Sequence, residues 1–166
     1  MNRFIYSLML YFSVPLAILR LLLRDTHDSS WKRKLKNQLG IVQKISGQVI
    51  WIHCVSVGEF NASKPLIDKL FIQYSDHQIV VSTTTITGSI AVNKHYKSKV
   101  IHCFFPFDIP LIINSYVNKI NPEICILLET EIWPNLIQSL KKKSVPVVLI
   151  NARLSEKSFH RYNKYS

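Results

Sequence analysis

The sequence predicts an α/β fold built on an open parallel sheet, and three observations carry that expectation. Five short apolar runs recur between residues 49 and 150, at Val49–Val55, Ile79–Thr83, Val100–Phe105, Ile124–Leu128 and Val147–Ile150. They are rich in Val and Ile and continuously apolar rather than alternating, as strands covered on both faces must be. Segments with helical spacing, such as Phe60–Tyr74 and Pro110–Ile120, separate them, and each is long enough for a crossover helix between parallel neighbours.

The first element is an apolar helix. Phe4 to Leu19 carries no charge, and Arg20 is followed by three more leucines. The stretch thus approaches the roughly 20 residues that cross a bilayer. Arg3 is the sole cation ahead of it and no small-x-small cleavage site follows, so a removed signal peptide is not expected. Arg20, Arg24, Lys32, Arg33, Lys34 and Lys36 follow the segment, which by the positive-inside rule keeps the bulk of the protein on the cytoplasmic side. Pro15 and Arg20 also permit a shallow in-plane helix whose cations meet anionic lipid. A third arrangement docks the helix on the protein's own core. The chain divides into a membrane-anchor helix at 1–24, a basic connector at 25–47 and an α/β domain at 48–166.

Local capping signals mark the later boundaries. Asp108 precedes Ile109-Pro110 as an N-cap, Pro134 suits a first helical turn, and Ser155 precedes Glu156-Lys157-Ser158. One βα unit every two dozen residues or so gives a Rossmann-like sheet of about five parallel strands.

Such sheets bind ligands beyond the carboxyl ends of their strands. The predicted strands deliver Ser56-Val57-Gly58-Glu59, Thr83-Thr84-Thr85-Ile86-Thr87-Gly88-Ser89, Pro106-Phe107-Asp108, Glu129-Thr130-Glu131 and Asn151-Ala152-Arg153 to that edge. Ser56-x-x-Glu59 has the spacing of a capping box, with Ser56 on the third helical amide and Glu59 reaching back to the Ser56 amide. It is equally a site motif: Gly58 lets a ligand near the backbone, and Glu59 beside a helix N-terminus is a general base for a hydroxyl group. Thr85 and Thr87 offer hydroxyl donors to an anionic or sugar ligand beside Gly88, or Thr87 simply caps a helix. Arg153 either holds a phosphate or carboxylate or pairs with Glu129.

Glu129 and Glu131 are the unusual pair. Two acids at the tip of a buried strand repel each other and lose hydration, which makes them a functional-site signal. They share a face only if the strand runs through Glu131.

The bulk numbers narrow the function. With 166 residues, 48% of them hydrophobic, the chain supports one core. Its 21 Lys and Arg against 10 Asp and Glu give a net charge of +11, suited to a polyanionic partner. The basic residues are not interleaved with exposed aromatics, which argues against nucleic acid. Cys54, Cys103 and Cys125 lie apart inside apolar runs and read as free buried thiols in a reducing compartment. No glycine-rich dinucleotide motif, phosphate loop, nucleophile elbow or dense His/Cys set is present, so neither cofactor nor metal is expected. His53 reads as a satisfied core residue.

Taken together and in order, Trp51-Ile52-His53, Ser56-Val57-Gly58-Glu59, Thr83 to Ser89, Pro106-Phe107-Asp108, Glu129 to Asn135 and Asn151-Ala152-Arg153-Leu154-Ser155 resemble the bacterial 3-deoxy-D-manno-octulosonic acid (Kdo) transferases of lipopolysaccharide assembly. The resemblance implies the N-terminal half of a two-domain, GT-B-type glycosyltransferase at the cytoplasmic face of the cell inner membrane. Its donor is CMP-Kdo, its acceptor a lipid A precursor bound by the N-terminal domain. It implies that Glu59 is the general base and that Glu129 and Glu131 belong to the same cleft, with Ser56, Gly58, Thr85, Thr87, Gly88 and Arg153 as substrate contacts. Family members continue into a second domain holding most of the nucleotide-sugar site, so this chain reads as the acceptor half alone, cut at the interdomain crossover. The rival reading is a non-catalytic, membrane-associated adaptor that binds anionic lipid or a protein partner and uses Glu59 only as a cap.

Overall fold

The protein is described by a computed structural model covering residues 3–22, 29–129 and 132–152. Helix α1 (Arg3–Leu22) and helix α2 (Ser29–Gln38) precede strand β1 (Val49–His53). The chain then alternates through α3 (Val57–Gln73), β2 (Gln78–Thr83), α4 (Ile86–Tyr96), β3 (Ile101–Phe104), α5 (Pro110–Ile120), β4 (Ile124–Leu128), α6 (Pro134–Lys142) and β5 (Val147–Ile150). All five strands pair in parallel in the order β3-β2-β1-β4-β5. The expected α/β class and its five parallel strands are present, with ends shifted by a residue or two.

The continuous apolar runs have the predicted cause. β1 is central and buried along its length, with Ile52 in register with Val81 on one side and Ile126 on the other. Successive strand side chains point to opposite faces, so each run feeds two cores. Ile50 and Ile52 join Phe60, Ile67 and Val92 beneath α3 and α4, while Trp51 joins Tyr116, Leu136 and Leu140 beneath α5 and α6. The crossovers before and after β3 therefore lie on opposite faces, as right-handed connections require when the chain reverses its direction across the sheet.

The basic stretch 25–47 contains α2, which closes the outer edge of β3. Arg33 donates to the His102 carbonyl, and Asn37 Oδ1 accepts the Phe104 amide at 3.0 Å. An otherwise open row of backbone groups is thereby satisfied. Gly40 makes the turn after α2 with φ +77°, and a Cβ there would come within 3.0 Å of the Ile112 carbonyl oxygen. The three cysteines are buried free thiols, and burial raises Cys54 to about 12 and Cys103 to about 11.

No described helix is long and apolar enough to cross a membrane. α1 instead leans on the α6 side of the domain and leaves Phe4, Met9, Phe12 and Leu16 more than half exposed.

One cap in this layer differs from expectation. Asp108 does not cap α5, whose N-cap is Ile109 without a side-chain bond. Its carboxylate accepts the amides of Asn135 at 3.0 Å and Leu136 at 2.9 Å, the orphan donors at the start of α6. Pro110 and Pro134 each remove one orphan donor at the start of their helices, and neither N-cap residue supplies a side-chain bond, so the Asp108 carboxylate reaches the remaining amides of α6 from outside that helix. The Tyr6 hydroxyl from α1 donates to the same carboxyl, and Ser7 Oγ donates to Asn135 Oδ1 at 3.1 Å.

Burial raises the Asp108 carboxyl from its ordinary 3.8 to about 6, against the pull of the Asn135 amide, the Tyr6 hydroxyl and the Leu136 amide. The folded state thus holds this proton to higher pH than the unfolded chain. The resulting stability is fully present below the unfolded value and is lost as pH rises through about 6. Between about pH 4 and pH 7, urea unfolding should show wild type losing on the order of 2 kcal/mol relative to Asp108→Asn. Parallel curves for the two proteins would contradict this.

Candidate functional site

Strand order reverses beside β1: the chain proceeds outward through β2 and β3, then returns to lay β4 against the other side of β1. The crevice of such a sheet opens where neighbouring connections leave to opposite faces, here between the carboxyl ends of β1 and β4. Ser56-Val57-Gly58-Glu59 follows β1 and Glu129 follows β4, so the two acidic motifs flank this switch point.

The loop after β1 is tightly wired. Ser56 is the N-cap of α3, and its Oγ accepts the Glu59 amide at 3.4 Å while donating to Glu59 Oε1 at 3.1 Å. Glu59 Oε2 accepts the Val55 amide at 2.7 Å. The capping box is therefore real, with Glu59 reaching the amide of Val55 rather than that of Ser56. Glu59 is 6% exposed, and each of its oxygens, having accepted one bond, keeps capacity for another. Thr84 ties the neighbouring loop to this one, its amide and Oγ1 both donating to the Val55 carbonyl at 3.3 Å and 3.0 Å.

In the threonine run, Thr85 and not Thr87 is the N-cap of α4. Thr85 Oγ1 accepts the Gly88 amide at 3.0 Å, and Thr87 Oγ1 donates to it from 3.3 Å. Cap geometry favours Thr85 because its backbone is still extended while Thr87 already lies in the first helical turn. Beneath them His102 sits between Thr83 Oγ1 at 3.0 Å and Ser89 Oγ at 3.3 Å, and burial lowers it to about 3, assisted by Arg33. It is a neutral spacer.

β4 ends at Leu128, and Glu129 turns the chain with φ +58° while its amide donates to the Ile150 carbonyl at 2.9 Å. The shared-face arrangement of Glu129 and Glu131 depends on Thr130, which lies outside the described residues. Glu131 and Arg153 lie outside the described residues, as does the Ser155 cap. Asn151 turns the chain after β5, also with positive φ.

His53 is a core residue but not a fully satisfied one. It is inaccessible, its Nδ1 lies 2.9 Å from Ser82 Oγ, its ring stacks on Phe105 at 4.0 Å, and its Nε2 has no partner. Burial lowers it to about 3, so it is neutral at physiological pH. Trp133 Nε1 is likewise buried without a partner, and its ring also packs on Phe105. Sequence reasoning missed these atoms and the role of Asp108, whose partners stand 27 and 28 positions away. No local signal encodes such pairings. Among the described residues, no group of three or more His, Cys, Asp or Glu is placed to hold a metal ion.

A buried carboxylate wired to its loop beside a switch point defines the class: a Rossmann-like α/β domain whose polar groups gather on the carboxyl edge. Comparison with known proteins makes this particular. Residues 30–166 match the family described as 3-deoxy-D-manno-octulosonic-acid transferase (kdotransferase), and the chain belongs to that family. It is 37% identical, over 99% of its own length and 39% of the relative's, to the 3-deoxy-D-manno-octulosonic acid transferase of Haemophilus influenzae. Identity is 41% over 70% of the chain to a bifunctional glycosyltransferase/methyltransferase of Fusobacterium nucleatum, of which 18% is covered. The 3-deoxy-D-manno-octulosonic acid transferase of Chlamydia trachomatis is 29% identical over 92% of the chain and 36% of that protein. The chain therefore spans well under half the length of the curated relatives it matches. The family match does not favour the adaptor reading.

The two loop glycines differ in their tolerance. A Cβ on Gly88 would lie 2.9 Å from Thr85 Oγ1 and 3.1 Å from Thr83 Cβ, whereas one on Gly58 meets only Ser56 Oγ at 3.7 Å. Gly88→Ala should cost about 1–3 kcal/mol by overpacking, and Gly58→Ala less than about 0.5 kcal/mol, since alanine also gains helix propensity. Urea midpoints of the two variants test the contrast, and equal losses would refute it.

Proposed function

We propose that this chain is the acceptor-side domain of a GT-B-type glycosyltransferase that moves Kdo from CMP-Kdo to a hydroxyl of a lipid A precursor in lipopolysaccharide core assembly. The observation that carries the reading is Glu59, a carboxylate fixed by the Val55 amide and the Ser56 hydroxyl beside the β1–β4 switch point. In the transfer, the acceptor hydroxyl oxygen forms a bond to the anomeric carbon as the bond to CMP breaks, and the hydroxyl proton passes to Glu59. Two hydrogen bonds fix the carboxylate before substrate arrives, so little reorganisation accompanies the step.

Ser56, Gly58, Thr85, Thr87 and Gly88 line the loops that face the acceptor. In this reading Glu129, Glu131 and Arg153 are further substrate contacts. The CMP-Kdo contacts come from a second domain of the kind that follows in longer family members, or from a partner chain supplying it. No metal or other cofactor takes part in this reading.

The apolar side chains of α1 and the +11 net charge support a seat on the anionic cytoplasmic face of the inner membrane. The helix lies in the interface rather than across it, in keeping with its insufficient apolar length.

Transfer of labelled Kdo from CMP-Kdo to a lipid A precursor in vesicles, with this chain supplemented by the separately expressed C-terminal part of a longer relative, tests the proposal. Glu59→Gln should lower that transfer by roughly 10²- to 10⁴-fold, the span of a lost general base, while a cooperative urea transition persists. Transfer at the wild-type rate by the variant would reject Glu59 as base.

A further inference from the structure

We infer that the groove between α1 and the α5–α6 pair is a binding site for one acyl chain of an anionic membrane phospholipid, whose phosphate is met by Arg3 and Lys142. The inference rests on the in-plane membrane reading of α1 given above, and it assigns that surface a defined lipid site.

The groove encloses about 420 Å³. This lies within the roughly 300–1,000 Å³ of small-molecule sites. Phe4, Ser7, Leu8 and Tyr11 form the α1 wall, Pro110 stands on the facing side, and Arg3 and Lys142 complete the lining. Among the described residues that line it, none is acidic. An apolar trough with two exposed cations matches an amphiphile with a hydrocarbon body and an anionic head. A zwitterionic head would bring its own cation against Arg3 and Lys142, so charge complementarity selects the anionic lipid.

The groove has a fixed frame. The Tyr6 hydroxyl on Asp108 and Ser7 Oγ on Asn135 pin one turn of α1 to the start of α6. The neighbouring apolar positions of α1 remain outside the core, with Leu8 46% and Phe4 72% exposed. The polar pins thus fix this turn of α1 against the start of α6 and leave a trough beside them.

Location separates this lipid from the sugar acceptor. Phe60, the residue after Glu59, packs in the α3–α4 layer, whereas the groove is lined from α5 and α6 on the opposite layer. A lipid held there orients the domain on the bilayer without occupying the cleft at the carboxyl edge.

The experiment titrates the chain with monomeric dihexanoyl-phosphatidylglycerol and, in parallel, dihexanoyl-phosphatidylcholine, read by chemical-shift changes of α1 and α6 amides. Saturable binding of the phosphatidylglycerol is expected, with Lys142→Glu weakening it about tenfold and Lys94→Glu, an equal charge change on α4 in the other layer, leaving it unchanged. Leu8→Glu, at a half-exposed position where folding is retained, should weaken it as well. Absence of saturable binding, or equal weakening by Lys94→Glu and Lys142→Glu, overturns the site. Sedimentation of the wild-type chain with phosphatidylglycerol vesicles separates the two ideas: vesicle binding without uptake of monomeric lipid refutes the groove and leaves the membrane reading standing. Failure to bind vesicles, with monomeric lipid still taken up at the groove, refutes the membrane reading alone.

Discussion

The reversal of strand order beside β1 is the constraint from which the rest of the architecture follows. A parallel sheet buries both faces, and each crossover must be right-handed. When the chain turns back after β3 to place β4 against β1, its helices must change sides. The loops leaving β1 and β4 then diverge and open the crevice that receives their acidic motifs. No single side chain creates that crevice, and a sheet extended in one direction only would lack it.

Within the crevice, stability and chemistry draw on the same bonds. Ser56 and Glu59 form a capping box, which on its own explains why a carboxylate stands at the start of α3. The bonds that satisfy the helix terminus also fix the Glu59 oxygens and leave capacity on each for a further donor. A cap and the proposed general base are therefore compatible descriptions of one residue. Thr84, bonded twice to the Val55 carbonyl, extends this rigidity to the next loop.

Asp108 joins parts of the molecule that would otherwise be independent. It accepts two amides of α6 and the hydroxyl of Tyr6, so the helix with the most exposed apolar surface is fastened to the segment immediately after the Glu129–Glu131 motif. In the proposed enzyme this pin sets how the domain sits on the bilayer relative to its cleft. The unpartnered His53 Nε2 and Trp133 Nε1, both against Phe105, mark the same side of the sheet as polar beyond what its apolar walls satisfy.

The sequence by itself determined the five strands, because burial on both faces demands continuous apolar runs that composition makes visible. It also determined the polar clusters at their carboxyl ends and the Ser56–Glu59 cap, whose partners lie within four residues of one another. Local spacing reaches no further. Thr85 displaced Thr87 as a cap because the backbone changes conformation between them, and Asp108 serves α6 rather than α5 because the sheet's return brings the first amides of α6 within its reach. The closing of the β3 edge by α2, the pinning of α1 and the orphaned atoms around Phe105 were decided only by the tertiary structure. Each joins groups separated by tens of residues, and their proximity depends on how the chain reverses across the sheet.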